Sequence, residues 1–405
     1  MSRLEELIAE LCPNGVKFYR LGDVAEISTG SSNSNEEESD GVYPFFVRSR
    51  DIKRKNSWEY DETAIITAGD GEVGKIYHYI EGKYALHQRA YRIHIINEKV
   101  YTKFIYYYMM SAFYSYITKE AVSSSVMSLR RRMFENFVVP VPPLPVQEEI
   151  VRILDNFAEL TAELTAELTK RKQQYQYYRD SLLDFSDDND NKSNQIKRLI
   201  NELCPNGVEY KLFGEVATIA RGASPRPIHK YITDNEDGVN WIKIGDVAVG
   251  SKYVTETKER ITPEGAKHSR FVRKGDFILS NSMSFGRPYI MKTSGCIHDG
   301  WLSISNFEKF YLSDFLYHLL NANFVQRIML HKASSGTVSN LNADIVKSLK
   351  LPVPPFPIQE EIVRVLDRFD ALCNDLTSGL PAEIEARKKQ YEYYRDKLLT
   401  FKEAV

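Results

Sequence analysis

The chain repeats itself. Residues 7–30, LIAELCPNGVKFYRLGDVAEISTG, return 192 positions later as LINELCPNGVEYKLFGEVATIARG at 199–222. PVPPLPVQEEIVRILDNF from Pro140 returns as PVPPFPIQEEIVRVLDRF from Pro352, and RKQQYQYYRDSLLDF from Arg171 as RKKQYEYYRDKLLTF from Arg387. The inserts between these blocks, residues 31–137 and 223–349, do not match each other at that level. Two similar frames around two different inserts suit one kind of job done on two different targets.

A length of 405 residues accommodates two domains, each able to bury a core. The net charge of −2 excludes a globally basic nucleic-acid binder, but the average hides a pattern. Positive charge sits on the inserts, most of all the second, while the regions after Gln147 and Pro357 are slightly acidic. Screening confines useful attraction to about 10 Å, so placement outweighs the total. Cys12, Cys204, Cys296 and Cys373 have no metal-type spacing and read as packed thiols. No run of about 18 apolar residues and no signal-peptide core is visible, so the expectation is a cytoplasmic protein without a membrane partner.

Within each half, CPNGV supplies a turn before a strand. Strand-like alternation runs through AIITAGD, KIYHYI, FILSNS and WLSISN, and helical patches begin at Phe104 and Phe315. After each PVPP, a long helix is expected from Gln147 or Gln359. Ile150, Leu154, Phe157, Thr161, Leu164, Leu168, Arg171, Tyr175, Tyr178, Leu182 and Phe185 alternate by four and three, a coiled-coil seam on a helix about 57 Å long. The second copy takes two consecutive steps of four, Leu376 to Leu380 to Ile384, beside Gly379 and Pro381. That four-residue insertion predicts local unwinding or a kink. The simplest fold is mixed α/β with an internal pseudo-twofold repeat. Two globules would be separated by an antiparallel coiled coil of two long helices, with SDDNDNKSN from Ser186 inside a polar surface linker.

GDGEVGK at 69–75 has phosphate-loop spacing, but Ile76 replaces the Mg²⁺-binding hydroxyl and a strand follows, so it reads as a glycine turn. No dinucleotide fingerprint, HExxH, or methyltransferase Asn-Pro-Pro or Asp-Pro-Pro tetrapeptide occurs, and no catalytic residue or metal ligand is assigned. The inserts do hold groups suited to base edges and phosphates. In the first these are Arg48, Arg50, Lys53, Lys75, Arg89 and, in the Ser-rich run before PVPP, Ser125 and Arg130. In the second they are Arg226, Lys243, Asn281, Ser282, Ser284, Arg287, and Thr337 and Asn340 of the matching Ser-rich run, with Arg221 at the end of the frame block just before it. His87 and His298 occupy comparable places, as structural strand-end histidines or as readers.

The CPNGV openings, the repeated PVPP(L/F)P(V/I)QEEIVR(I/V)LD(N/R)F and the KQY(Q/E)YYRD blocks resemble the specificity subunit of type I restriction-modification systems, over nearly the whole chain. AELTAELTAEL is similar to a spacer repeat of that family, and WIKIGDV and SNSMSFGRPYI to its target-recognition domains. The resemblance implies target-recognition domains at 1–144 and 199–356, long helices at 145–185 and 357–405, and a linker at 186–198. It implies a non-catalytic adaptor for double-stranded DNA that serves host defence. Two modification subunits would bind S-adenosylmethionine, and restriction subunits would use ATP and Mg²⁺, with no cofactor on this chain. Docking is expected at Gln147, Arg152, Tyr178 and Arg179, and at their copies Gln359, Arg364, Tyr394 and Arg395. A coiled-coil scaffold that binds only proteins is the alternative.

Overall fold

The computed structural model describes residues 3–120, 128–185, 192–247, 251–281, 285–334, 340–374 and 378–404. The chain forms two compact units that cut across the sequence halves. One comprises Met1–Glu163 with Glu385–Val405, the other Leu164–Ile384. Each unit therefore combines one insert with helical segments from both copies.

The first unit opens with helix Arg3–Leu11 and the CPNG turn, where Gly15 adopts φ +95°. A side chain there would meet the Lys402 carbonyl at 2.8 Å, because Val16 and residues 402–404 exchange backbone hydrogen bonds. Strands β1 (Lys17–Arg20), β2 (Ala25–Thr29), β3 (Tyr43–Phe46), β4 (Lys53–Lys55), β5 (Tyr60–Ala68), β6 (Tyr77–Leu86), β7 (Ala90–Ile95) and β8 (Val138–Val141) follow. β1 pairs with β8, so the copied frame segments on either side of the insert are neighbours. The insert forms a six-stranded sheet in the order β2-β7-β5-β6-β3-β4, antiparallel except for β3 with β6. Helix Thr102–Glu120 buries Phe104, Ile105, Met109, Phe113 and Ile117 in a core shared with Ile27, Ile65 and Ile93. The GDGEVGK segment is the β5–β6 hairpin turn, with Gly71 and Gly74 at φ +79° and +68°.

The second unit contains β9 (Tyr210–Leu212), β10 (Thr218–Arg221), β11 (Ile232–Thr233), β12 (Val239–Ile242), β13 (Tyr253–Val254), β14 (Glu259–Ile261), β15 (Arg270–Val272), β16 (Phe277–Ser280), β17 (Pro288–Met291), β18 (Gly295–Ile297), β19 (Trp301–Ser305) and β20 (Lys350–Pro352). β9 pairs with β20, as β1 does with β8. Its sheets run β10-β19-β16-β17-β13 and β11-β14-β12-β18-β15. The first unit's strand order reappears once β6 is cut into β17 and β18 and three short strands are added. Gly82, at φ +101°, sits in β6 near the corresponding break. Helix Thr102–Glu120 likewise corresponds to two helices, Ser313–Leu320 and Asn323–Ser334, where one helical patch was expected.

The long helix spans Leu144–Leu183. It starts three residues before the expected Gln147, because Pro145 lies in the first turn, where a missing N–H breaks no helical bond. All eleven expected seam positions are buried or half-buried. In the first unit Phe157 stacks on Tyr394 with centroids 5.5 Å apart; in the second, their copies Phe369 and Tyr178 stack at 5.3 Å. Lys172 and Arg171 act on Cys373 while Tyr178 meets Phe369, so the helices of the second unit run antiparallel. The two stacks lie 21 residues apart on the long helix (157 to 178) and 25 apart on the distal one (369 to 394). The extra four coincide with the expected interruption. Helices Phe356–Asn374 and Leu380–Leu398 are separate, Ser378 and Gly379 are non-helical, and residues 375–377 lie outside the described residues.

One expectation needs correction. Lys192, assigned to a polar surface linker, is buried, with Nζ 2.5 Å from the Asp184 carbonyl and over the Phe185 ring. Ser193 then caps helix Asn194–Leu203, so the linker is shorter than expected; residues 186–191 lie outside the described residues. The cysteines are free thiols, three of them buried and Cys204 half-buried.

Candidate nucleic-acid interface

In both units one sheet edge gathers the turns that the sequence marked. Gly30 and Gly222, a repeat pair, end β2 and β10 so close to the neighbouring strand that a Cβ would lie 1.9 Å from the Leu86 carbonyl or 2.0 Å from that of His298. The next turn is the same in both units. Arg89 N–H donates to His87 Nδ1 at 3.0 Å, and Gly300 N–H donates to His298 Nδ1 at 2.6 Å. Burial lowers the pKa of both rings, and for His87 the charges of Arg48 and Arg89 lower it further. Both histidines thus serve the turn. The β5–β6 and β16–β17 hairpin turns are tied to it by Gly69 N–H to Arg89 O at 2.9 Å and Asn281 N–H to Gly300 O at 3.1 Å. The run before the second frame segment joins as well, through Leu129 N–H to Gly69 O and Leu341 N–H to Asn281 O.

On this edge of the first unit, Arg48 Nη1 lies 2.7 Å from Asp70 Oδ1 and Arg89 Nη1 3.3 Å from Asp70 Oδ2. Clefts of about 410 and 290 Å³ share Asp70 as a wall. One is lined by Ser34, Arg48 and Lys53, the other by Gln88, Arg89 and Ser128. Arg50 is exposed, 3.8 Å from Glu72, and Arg130 is exposed before helix Arg131–Glu135. Lys75 lies over the Tyr114 ring at 5.2 Å, directed to the helix. Lys53 is paired with Glu37, and Lys55 with Glu36 at 2.5 Å. Asp70 and this acidic stretch were missed because acids were set aside in a search for phosphate-binding groups.

In the second unit Asp299 is the hub. Its carboxylate accepts from Ser224 Oγ at 2.6 Å and lies 3.8 Å from Arg226; its carbonyl accepts from Arg221 Nε at 3.3 Å and from Asn281 Nδ2 at 2.8 Å. The Ser224 bond holds the Asp299 carboxyl below its ordinary pKa, against the opposing effect of burial. Asn281, expected at a base edge, is buried and its amide is committed to this turn. Lys243 pairs with Glu259 beside His298, Arg287 lies over the Tyr289 ring at 5.8 Å, and Asn340 is exposed. Ser125, Ser282, Ser284 and Thr337 lie outside the described residues.

The residues expected to dock partners divide. Gln147 and Gln359 are fully buried and hydrogen-bonded inside their units, not facing a partner. Each clamps three backbone groups: Gln147 holds Tyr101 N, Lys99 O and Pro142 O, and Gln359 holds Leu312 N, Phe310 O and Pro354 O. Arg179 is also buried, 3.2 Å from Asn323 Oδ1, and Arg395 bonds Asp396. Arg152 and Arg364 remain half-exposed on Glu149 and Glu361, while Tyr178 and Tyr394 are in the stacks. A different set is both exposed and duplicated: Leu11 and Leu203, Leu144 and Phe356, Leu160 and Leu372, Tyr177 and Tyr393. The repeat alone could have found them.

Among the described residues no helix is long and apolar enough to cross a membrane, and no cluster suited to a metal ion occurs. The family described as type I restriction modification DNA specificity domain matches residues 13–171 and again 205–386. A type I restriction enzyme specificity subunit of Escherichia coli is 32% identical over 65% of this chain and 61% of its own length. A putative one from Haemophilus influenzae is 29% identical over 95% of this chain and 96% of its own length. Two solved structures share the fold at 14% identity. A chain from work on complex assembly and conformational transition of the type I system has a TM-score of 0.64, covering 96% of this chain and 98% of that one. The S subunit of a type I system from M. genitalium has 0.56, covering 95% and 96%. With that domain present twice, each copy presenting a turn-lined edge that carries arginines, the chain belongs to the specificity subunits of type I restriction-modification systems, the non-catalytic members that recognise DNA.

Proposed function

We propose that each insert reads one half of an asymmetric, bipartite DNA target and that the long helix sets the unread spacer between the halves. The observation that carries this is one strand order, with the same three turns joined at one edge, built from two sequences that place different side chains there. Equal scaffolds with unequal readers suit two different half-sites, unlike the palindrome of a symmetric dimer. The duplicated exposed residues Leu144 and Phe356, and Tyr177 and Tyr393, would take two copies of one partner. That partner is the modification subunit, which would bring S-adenosylmethionine; restriction subunits would bring ATP and Mg²⁺ chemistry.

The test is methylome sequencing of cells that carry exchanged or shortened chains. Exchanging residues 223–349 for another insert should change one half-site only, and two changed halves would defeat the modular reading. Deleting residues 165–168 removes about 6 Å of helix, close to two base pairs. It should shorten the spacer and leave both halves intact; an active complex with an unchanged spacer would refute that role. Random duplexes that fail to bind the assembled complex would favour the protein-only scaffold.

A further inference from the structure

We infer that Asp70 is a positioning residue for base readout, its carboxylate holding Arg48 and Arg89 in a fixed presentation, and that Asp299 serves its own edge in the same way, through its carboxylate for Arg226 and its backbone carbonyl for Arg221. The inference rests on the reading that these edges face DNA. An acid at the floor of a DNA-binding cleft repels phosphate, so its presence needs a compensating role. The exposures suggest one. The Asp70 side chain is 20% exposed, whereas Arg48 and Arg89 are 42% and 63% exposed, so the carboxylate lies beneath two guanidinium groups that project past it.

Arginine carries large rotamer entropy, and a carboxylate anchor removes much of it before binding. The anchor engages one Nη1 on each arginine out of five donors per guanidinium, which leaves the donor count that bidentate recognition of guanine O6 and N7 requires. Two cations on one anion keep a net positive charge at the edge.

The second unit reaches a similar arrangement by a different route. Asp70 belongs to the hairpin turn, whereas Asp299 belongs to the histidine turn, and those two turns are hydrogen-bonded to each other in both units. Arg221 is anchored to the Asp299 carbonyl and Arg226 approaches its carboxylate, while Ser224 keeps that carboxylate ionised and oriented. The sequences here do not match, so the shared arrangement is not inherited from the copied frame.

The experiment uses the complete complex of this chain with its modification partners, and a duplex library carrying every base at every target position. Asp70→Asn should relax base preference about tenfold at one or two positions of one half-site, leaving the other half and thermal unfolding unchanged. Arg48→Lys and Arg89→Lys, which keep the charge but lose the planar fork, should relax the same positions. Asp299→Asn, which removes the charge facing Arg226 but keeps the carbonyl that accepts from Arg221, should act more weakly and on the other half-site. Unchanged preferences in Asp70→Asn would overturn the inference. So would a switch in Asp70→Asn at a position that neither lysine variant affects, since the acid would then be reading a base itself. If Arg48→Ala and Arg89→Ala alter neither binding nor preference, it is the DNA-facing reading of this edge that fails, and the inference falls with it. Should Asp70→Asn not fold, Asp70→Glu takes its place: moving the carboxylate by one methylene should relax the same positions as the lysine variants, and unchanged preferences would overturn the inference.

Discussion

The two insert sheets differ most in one strand. In the first unit, β6 runs unbroken for ten residues and joins everything into a single six-stranded sheet. In the second, the same path is interrupted between Met291 and Gly295, and the halves belong to separate five-stranded sheets. The interruption provides more edges, occupied by β13 and β15. On one face the second unit packs an apolar cluster of Ile242, Val254, Val272, Ile278, Tyr289, Met291, Ile297 and Trp301. The corresponding face of the first unit packs a smaller apolar cluster of Phe46, Ala64, Ile66, Tyr84, Leu86 and Ala90, with a charge network beside it. There Arg92 bonds Glu62 through Nη1 at 2.9 Å and reaches Glu26 and Ser28. Strand order is thus conserved where the chemistry of that face is not. Hydrogen-bonded connectivity, joined to the frame at both ends, persists while packing chemistry drifts.

The largest effect that could break this comparison is expected at the glycine pair. Gly30→Val and Gly222→Val each push a side chain into a backbone carbonyl that a hydrogen bond, from Ser32 N–H or Trp301 N–H, keeps from yielding. Each should destabilise its own unit by about 3 kcal/mol or more, measured by urea unfolding with a fluorescent probe in each unit. A large loss in one unit and none in the other would show that the two edges are not equivalent.

An intermediate effect separates the units by pH. In the second, Asp367 Oδ1 lies 2.8 Å from His318 Nε2 and 3.3 Å from Lys252 Nζ, and Tyr175 OH lies 2.9 Å from His318 Nδ1. Burial pushes the Asp367 carboxyl upward, but His318 and Lys252 outweigh it and the net shift is downward. A depressed folded pKa means that the unfolded chain binds the proton more readily. The stabilisation is therefore complete above about pH 4 and is lost as pH falls through the folded value. Asp367→Asn should lower the unfolding midpoint at pH 6, and its difference from wild type should shrink toward pH 3. A difference independent of pH would remove the charge from the explanation.

The smallest effect on stability is expected at the exposed tyrosines. Tyr177→Ala and Tyr393→Ala should each change unfolding by less than about 0.5 kcal/mol. Each single variant should lower the number of partner subunits bound from two to one, read by native mass spectrometry, and the double variant should abolish binding. Full occupancy in the double variant would move the docking surface elsewhere.

The seam from Ile150 to Phe185 was legible because a period of 3.5 leaves a trace in every turn. The interruption near Gly379 was legible because two steps of four cannot stay in phase. The helix start was misplaced by three residues because proline forbids helix only beyond the first turn. Gln147 was read as a surface residue because a repeated polar side chain looks like a contact, whereas its amide satisfies three backbone groups that no local pattern reveals. The Tyr175–His318–Asp367 chain was invisible for a similar reason, since its members are 143 and 49 residues apart. At the candidate site the arginines were found by type, but Asp70 and Asp299 were not. Their role is to orient another residue, and orientation leaves no compositional signal.

Gly30 and Gly222 also carry a rule for anyone grafting foreign inserts into this frame. The donor segment must return a strand whose carbonyl lands against a glycine that belongs to the host. A cut placed inside that contact would separate the two halves of a fitted joint. Splices that keep residues 30 to 87, or 222 to 298, from a single parent carry the joint intact, whereas an exchange that cuts between them, such as that of residues 223–349, needs a donor whose carbonyl meets the host glycine as closely.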